Sequence, residues 1–192
     1  MVMIEGVEIK RKMVHLATLV IPIGYALTSK EAVLLFLIPF FLCYLALDLL
    51  RHFQPGLKSL FNRYFFGRVL REQEMPTLMT STFFLFSTIL TILLFSKPIA
   101  IASILILILA DTAAALVGKA IGRTRLFGKT LEGSLAFLCI SLLIVGLTPG
   151  LNRLAGMVAA LGATVIELIP IPANDNLTIP LVAGALMSFA AG

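Results

Sequence analysis

Charge is what this chain has least of. Only 13% of its 192 residues are Asp, Glu, Lys or Arg, against roughly 25% in soluble domains. That shortage excludes an ordinary water-soluble globule. A mean hydropathy of +1.05 turns the exclusion into an expectation, an integral membrane protein. Alternating polarity in ~10-residue segments, the mark of a transmembrane β-barrel, is absent as well. Cysteine is scarce. Cys43 and Cys139 both lie in apolar runs, so the sequence offers neither a disulfide framework nor metal-ligand spacing. The first apolar run lacks a convincing small-residue cleavage site and a soluble domain after it, which favours a helix over a signal peptide. A net charge of +5 suggests anionic partners. In a membrane protein the distribution of charge matters more than its sum, and nucleic acid is not an expected partner.

What the chain does have is apolar runs, at roughly 13–29, 31–50, 78–96, 98–118, 132–148, 154–170 and 178–192. Several reach the ~17–25 residues that cross a bilayer as a helix. The expected fold is all-α: a polytopic transmembrane helical bundle of about seven helices, one domain over residues 1–192. Lys10, Arg11 and Lys12, then Arg51, Lys58, Arg63, Arg68 and Arg71, then Lys119, Arg123, Arg125 and Lys129 fall on one face. The remaining bases, Lys30, Lys97 and Arg153, fall on the other. The positive-inside rule then puts the N-terminus and the basic loops in the cytoplasm. Within residues 51–77, Leu57, Leu60, Phe61, Tyr64 and Phe65 recur at helical spacing, which suggests a cytoplasmic segment lying in the interface. Gly156, Ala160 and Ala163 suit close helix contact.

Several polar residues stand where apolar ones are expected. Asp111 sits well inside the fourth run, about 20 Å along a helix. A charge at that depth is costly unless it faces the bundle interior or water. At 100° per residue, Asp111, Gly118 and Gly122 share one face, so the acid lies beside two positions where something can approach the backbone. The structural alternative is glycines for tight packing and an aspartate paired to a base. Arg11, Lys12 and His15 can share a face at the start of the first helix. Asp48 and Arg51 stand three apart at the end of the second. Glu167 lies in the sixth run, and Asp175 and Asn176 open the seventh. Together these residues and Glu132 gather near one membrane face, which independent ion pairs would not require.

The connection 119–131 suits phosphate. Gly122 and Gly128 allow turns, and Arg123, Arg125 and Lys129 supply charge-assisted donors. Thr130 can cap the fifth helix, whose N-terminal amides then face an anion. Gly128-Lys129-Thr130 copies only the end of a Walker A loop, because residue 123 is Arg where that loop needs its first glycine.

Asp111-x-x-Ala114-x-x-x-Gly118-x-x-x-Gly122, followed by Lys129-Thr130-x-Glu132-Gly133-Ser134, resembles the polyprenol kinase family of dolichol kinases, phytol kinases and a CTP-dependent diacylglycerol kinase. Arg11-Lys12-x-x-His15, Asp48-x-x-Arg51, and Glu167 followed by Asp175-Asn176-x-x-Ile179-Pro180 extend the likeness, in order, over most of the chain. The central motif is also similar to that of phosphatidate cytidylyltransferases. Those normally carry a further Lys-Asp and Gly-rich Asp-Arg-x-Asp signature, which is missing after Asp175. The resemblance implies transfer of the γ-phosphate of CTP to an isoprenoid alcohol, dolichol or another polyprenol first and phytol or geranylgeraniol next, with Mg²⁺. It implies Asp111 as leading metal ligand, assisted by Glu132 or Asp175. Lys119, Arg123, Arg125 and Lys129 are expected at the triphosphate, with Gly118, Gly122, Thr130, Gly133 and Ser134 shaping its bed. Asp48 is the expected group at the acceptor hydroxyl, with Arg51 and His15 beside it, and Arg11, Lys12, Glu167 and Asn176 complete the polar site. Two other readings stand beside this one, a CDP-lipid synthase and a small transporter. Against transport, the polar residues cluster at one face and no inverted repeat is obvious.

Overall fold

A computed structural model describes residues 11–54, 56, 78–170 and 173–191, and these are almost entirely helical. The expected interfacial segment 51–77 therefore lies largely outside the described residues, as does Lys10. Helix α1 (11–17) and α2 (Val20–Leu27) occupy the first apolar run. They are followed by α3 (Lys30–Phe53), α4 (Thr80–Leu94) and α5 (Lys97–Leu105). A π-helical turn, Ile106–Ala110, joins α5 to α6 (Asp111–Ile121). Two-residue strands β1 (Arg125–Leu126) and β2 (Lys129–Thr130) pair antiparallel as a hairpin. Helices α7 (Leu131–Leu147), α8 (Arg153–Leu168) and α9 (Asp175–Ala191) complete the order.

The class is all-α, as the apolar runs suggest. Among the described residues two helical stretches, Lys30–Arg51 and Lys97–Ile121, are long and apolar enough to cross a membrane. They differ in setting: 11% of the apolar window is buried in the first and 56% in the second. The α5–α6 stretch is thus the central element. Ile104, Ile106, Leu107 and Ile108 on it are fully buried, with Phe137 of α7 and Ile179 and Met187 of α9 in the same core. Helix α9 packs mainly on α8 and α4, and α7 lies between α6 and α8. Small residues set these distances, since a side chain on Gly156 would strike Val145. Ala160 and Ala163 are fully buried beside it in sequence.

Two apolar runs are less regular than their composition suggests. Pro22 has no N–H to give the Thr18 carbonyl, which accepts instead from Ile21 N at 2.9 Å. The Thr18 hydroxyl and N–H both turn back to the His15 carbonyl, at 2.5 and 3.1 Å. The first run therefore breaks into α1 and α2. In the fourth run the π turn adds a residue to one turn of helix and so rotates everything after it by roughly 100°. Nothing in Ile-Leu-Ile-Leu-Ala announces that turn.

One end of the molecule is closed by bases. Lys30 donates to the Leu93 carbonyl at the end of α4, 2.8 Å away. Lys97 donates to the Thr28 carbonyl just past α2, also at 2.8 Å. Arg153 donates to the Val145 carbonyl at 3.0 Å and to that of Gly146 near the end of α7. Each cation rests on the negative end of a helix dipole.

Candidate functional site

At the other end the ions meet acids. Helix α1 lies across the start of α6, where Lys12 Nζ is 2.5 Å from Asp111 Oδ2 and 3.2 Å from the Asp111 carbonyl. His15 Nε2 is 3.3 Å from the Leu107 carbonyl in the π turn and 4.0 Å from Asp111 Oδ2. The π turn thus presents both its own carbonyl and the acid that follows it to one helix. The Asp111 side chain keeps 20% of its surface open.

The hairpin brings a second lysine to the same end. Lys129 Nζ is 3.0 Å from Asp175 Oδ2 and 3.1 Å from Glu167 Oε1, and it also donates to the Glu167 carbonyl. Ser134 donates to Glu167 Oε2 at 2.9 Å, which holds the buried carboxylate from the α7 side. Burial pulls the Lys129 ammonium down, but the charges of Asp175 and Glu167 outweigh it and leave its pKa above the ordinary 10.5.

Between these two ion-pair centres lies a pocket of about 530 Å³. Among the described residues its lining includes five bases, Arg11, Lys12, Lys119, Arg125 and Lys129, and three acids, Asp111, Glu167 and Asp175. Small residues floor it: Ala114, Ala115, Gly118, Gly128, Thr130 and Gly133. Thr130 caps α7 by accepting from Gly133 N at 3.2 Å. A side chain on Gly118 would come within 2.5 Å of Thr130 Oγ1, and one on Gly133 within 2.8 Å of the Ala114 carbonyl. Glycine is what lets α6 and α7 meet there.

Several expected site residues are elsewhere. Gly122 follows the last residue of α6, and a side chain on it would strike the Gly118 carbonyl and Thr130. The close approach it permits is to its own chain. Arg123 is exposed and is not among the lining residues. Glu132 accepts from Thr124 N at 3.1 Å, closing the hairpin's base. Asn176 is tied to α4 instead: its carbonyl accepts from Ser87 Oγ at 2.6 Å and its amide donates to the Thr80 carbonyl at 3.3 Å.

Asp48 and Arg51 form a centre of their own, 0% and 3% exposed. Arg51 Nε is 2.6 Å from Asp48 Oδ1. Asp48 Oδ2 accepts from Met79 N at 2.8 Å and from Thr82 Oγ1 at 2.5 Å. Both oxygens are thus engaged by the protein, and the pair fastens the end of α3 to the start of α4. Asp48, expected at the acceptor hydroxyl, is not among the residues that line the pocket.

Among the described residues no three His, Cys, Asp or Glu side chains converge as a ready-made metal cage. Mg²⁺ does not ask for one. It is commonly held by one or two carboxylates together with substrate phosphates. Asp111 and Asp175, oxygen donors on one pocket, fit that requirement.

No family model matches the chain, and no solved structure matches it. It is similar to the uncharacterized protein RP860 of Rickettsia prowazekii (strain Madrid E), 34% identical over 184 residues, covering 91% of this chain and 90% of that protein. The chain belongs to the same family.

Sequence reasoning named the pocket's three acids, its five bases and its glycines. It missed Ala115 and the π turn. Ala115 is one small residue among many. The groups that meet the π turn and the acid after it, His15 and Lys12, come from nearly a hundred residues away.

Proposed function

We propose that the chain is an integral membrane kinase that transfers the γ-phosphoryl group of CTP to the hydroxyl of an isoprenoid alcohol. In this reading its apolar helices form a polytopic bundle with a cytoplasmic N-terminus, and the pocket opens to the cytoplasm. Membrane residence is supported by the low charge and by two helices long and apolar enough to cross. Orientation is supported by the concentration of bases at the pocket end. CTP and the isoprenoid acceptor come from the resemblance in the motifs.

The observation that carries the reading is the pocket's make-up: five bases and three acids over a floor of small residues. A polyphosphate needs cations, and its metal needs carboxylates. Lys129, Arg125 and Lys119 supply charge-assisted donors for the phosphates. Asp111 and Asp175 would hold Mg²⁺, which supplies charge stabilisation as negative charge develops on the phosphate oxygens. Lys12 sits against Asp111 and is placed to return to a phosphate when that acid turns elsewhere.

In the reaction, the alcohol oxygen bonds to the γ-phosphorus while the bond from that phosphorus to the β,γ-bridging oxygen breaks. CDP leaves with the electron pair. The hydroxyl proton passes to a carboxylate of the same pocket. Such transfers depend mostly on positioning and electrostatics, with little demand for a strong base. The acceptor's tail stays in lipid and its hydroxyl reaches the pocket from the interface.

Membranes containing the protein, incubated with γ-labelled CTP and either a polyprenol or phosphatidate, test this. A kinase moves the label to the lipid and releases CDP. Label released as pyrophosphate would instead identify a cytidylyltransferase. No CTP turnover with any lipid alcohol or with phosphatidate would sink both enzyme readings and favour transport.

A further inference from the structure

The hairpin that carries Lys129 has an unusual tip. Its pairing of Arg125 with Thr130 and Leu126 with Lys129 leaves a two-residue turn, Phe127-Gly128. Both have positive φ, 51° and 88°. A turn of this kind favours Asn-Gly or Gly-Gly, and a bulky residue at positive φ is a genuine outlier. Phe127 is also 69% exposed, so contacts within the chain do little to offset the strain. Strain at an exposed aromatic points outward, to something the aromatic meets.

The surroundings describe that something. Ile121 before the hairpin, Leu126 within it and Leu131 after it are all exposed. Arg123 and Arg125 are exposed among them. The hairpin joins the end of α6 to the start of α7, both parts of apolar helices. An aromatic tip with aliphatic neighbours and flanking arginines fits the membrane–water interface, where aromatic rings sit at headgroup level and bases meet anionic lipid. Phe127 is not among the pocket-lining residues, although Gly128 beside it is.

We infer that the Leu126-Phe127 tip of the hairpin docks into the headgroup region of an anionic lipid surface. Its strands then hold Arg125 and Lys129 in the pocket while the tip rests in the interface. The inference rests on the membrane reading above and not on the reaction.

The chain has no Trp, so Phe127→Trp and Leu126→Trp each introduce a single fluorophore. The full chain is placed in phosphatidylcholine–phosphatidylglycerol vesicles whose acyl chains are brominated close to the carbonyl. Both tryptophans should lose most of their emission there, and should lose little to acrylamide in the water. Phe40→Trp, on the exposed side of α3, is the control and should respond to bromine near the terminal methyl. If Phe40→Trp is quenched by lipid but neither tip variant is, the docking inference is overturned. Should the tip variants escape lipid quenching and become protected only on adding CTP, the tip serves a nucleobase and the inference is overturned too. If no position is quenched by lipid, the membrane reading itself fails.

Discussion

The two ends of this molecule use the same residue types for different work. At one end Lys30, Lys97 and Arg153 lie on carbonyls at or just past the ends of helices, where the acceptor is backbone that stays put. At the other, Lys12 and Lys129 lie on carboxylates that border an open pocket. The first arrangement finishes helices. The second stores charge of both signs where a ligand carrying both can exchange partners with it. The Asp48–Arg51 centre shows that burial does not separate the two. It is more buried than the pocket acids, yet both its oxygens are engaged by protein donors. An aspartate is available for chemistry when a pocket borders it.

The largest expected effect that sharpens this contrast is at Asp111. Asp111→Asn should lower kinase turnover at least about 100-fold, the scale of removing one preorganised electrostatic contact. Turnover of γ-labelled CTP with a polyprenol reads it, and circular dichroism checks that the helices remain. Full turnover in that variant would break the assignment of Asp111 to the site.

Asp48→Ala should do the opposite. It leaves the Arg51 guanidinium, Met79 N–H and Thr82 hydroxyl without their carboxylate, a buried break worth roughly 3–5 kcal/mol. The thermal midpoint in detergent should fall sharply, while activity per folded molecule stays within a few-fold. A 100-fold loss per folded molecule would return Asp48 to the reaction and erase the difference between the two centres.

Lys97→Met tests the far end. Losing one cation from a helix terminus should cost about 0.3–1 kcal/mol. CTP binding by calorimetry should be unchanged, and a weaker affinity would mean that the two ends are coupled.

The smallest effect is in pH. The folded-state pKa of Lys129 lies above the ordinary 10.5. Its ion pairs therefore contribute fully below that unfolded value and are lost as pH rises through the higher folded one. The difference in melting temperature between wild type and Lys129→Met should be flat from neutral to mildly alkaline pH, then shrink only above about 10.5. A difference that already shrinks near neutral pH would contradict the direction of the shift.

Much of this was legible in the residues. The apolar runs mark the helices to within a few positions, because a helix dominated by apolar residues is bounded by the first polar or capping ones. Ser29, Thr130 and Asn152 cap α3, α7 and α8 as side chains of their type do. The sequence alone marks Thr130 as a cap and Asp175 as the opening of the last helix. The grouping of Arg11, Lys12, Asp111, Lys129, Glu167 and Asp175 at one end was legible from topology alone. Asp48, Glu132, Gly122 and Asn176 do not line the pocket, since sharing a face does not mean sharing a pocket. Asp48 is engaged by Met79 and Thr82, Asn176 by Ser87 and Thr80, and Glu132 by Thr124 at the base of the hairpin.

Composition and order thus determined by themselves that the chain is helical and apolar, and that most of its ionisable residues collect at one end, because burial of charge is too costly to be scattered. Which carboxylate opens on the pocket, and which is closed, was decided only by the fold. Asp48 meets a backbone N–H and a hydroxyl more than thirty residues away. Asp111 meets a lysine almost a hundred residues away across a π turn. Those contacts depend on helix rotation and packing distance, which no local pattern encodes.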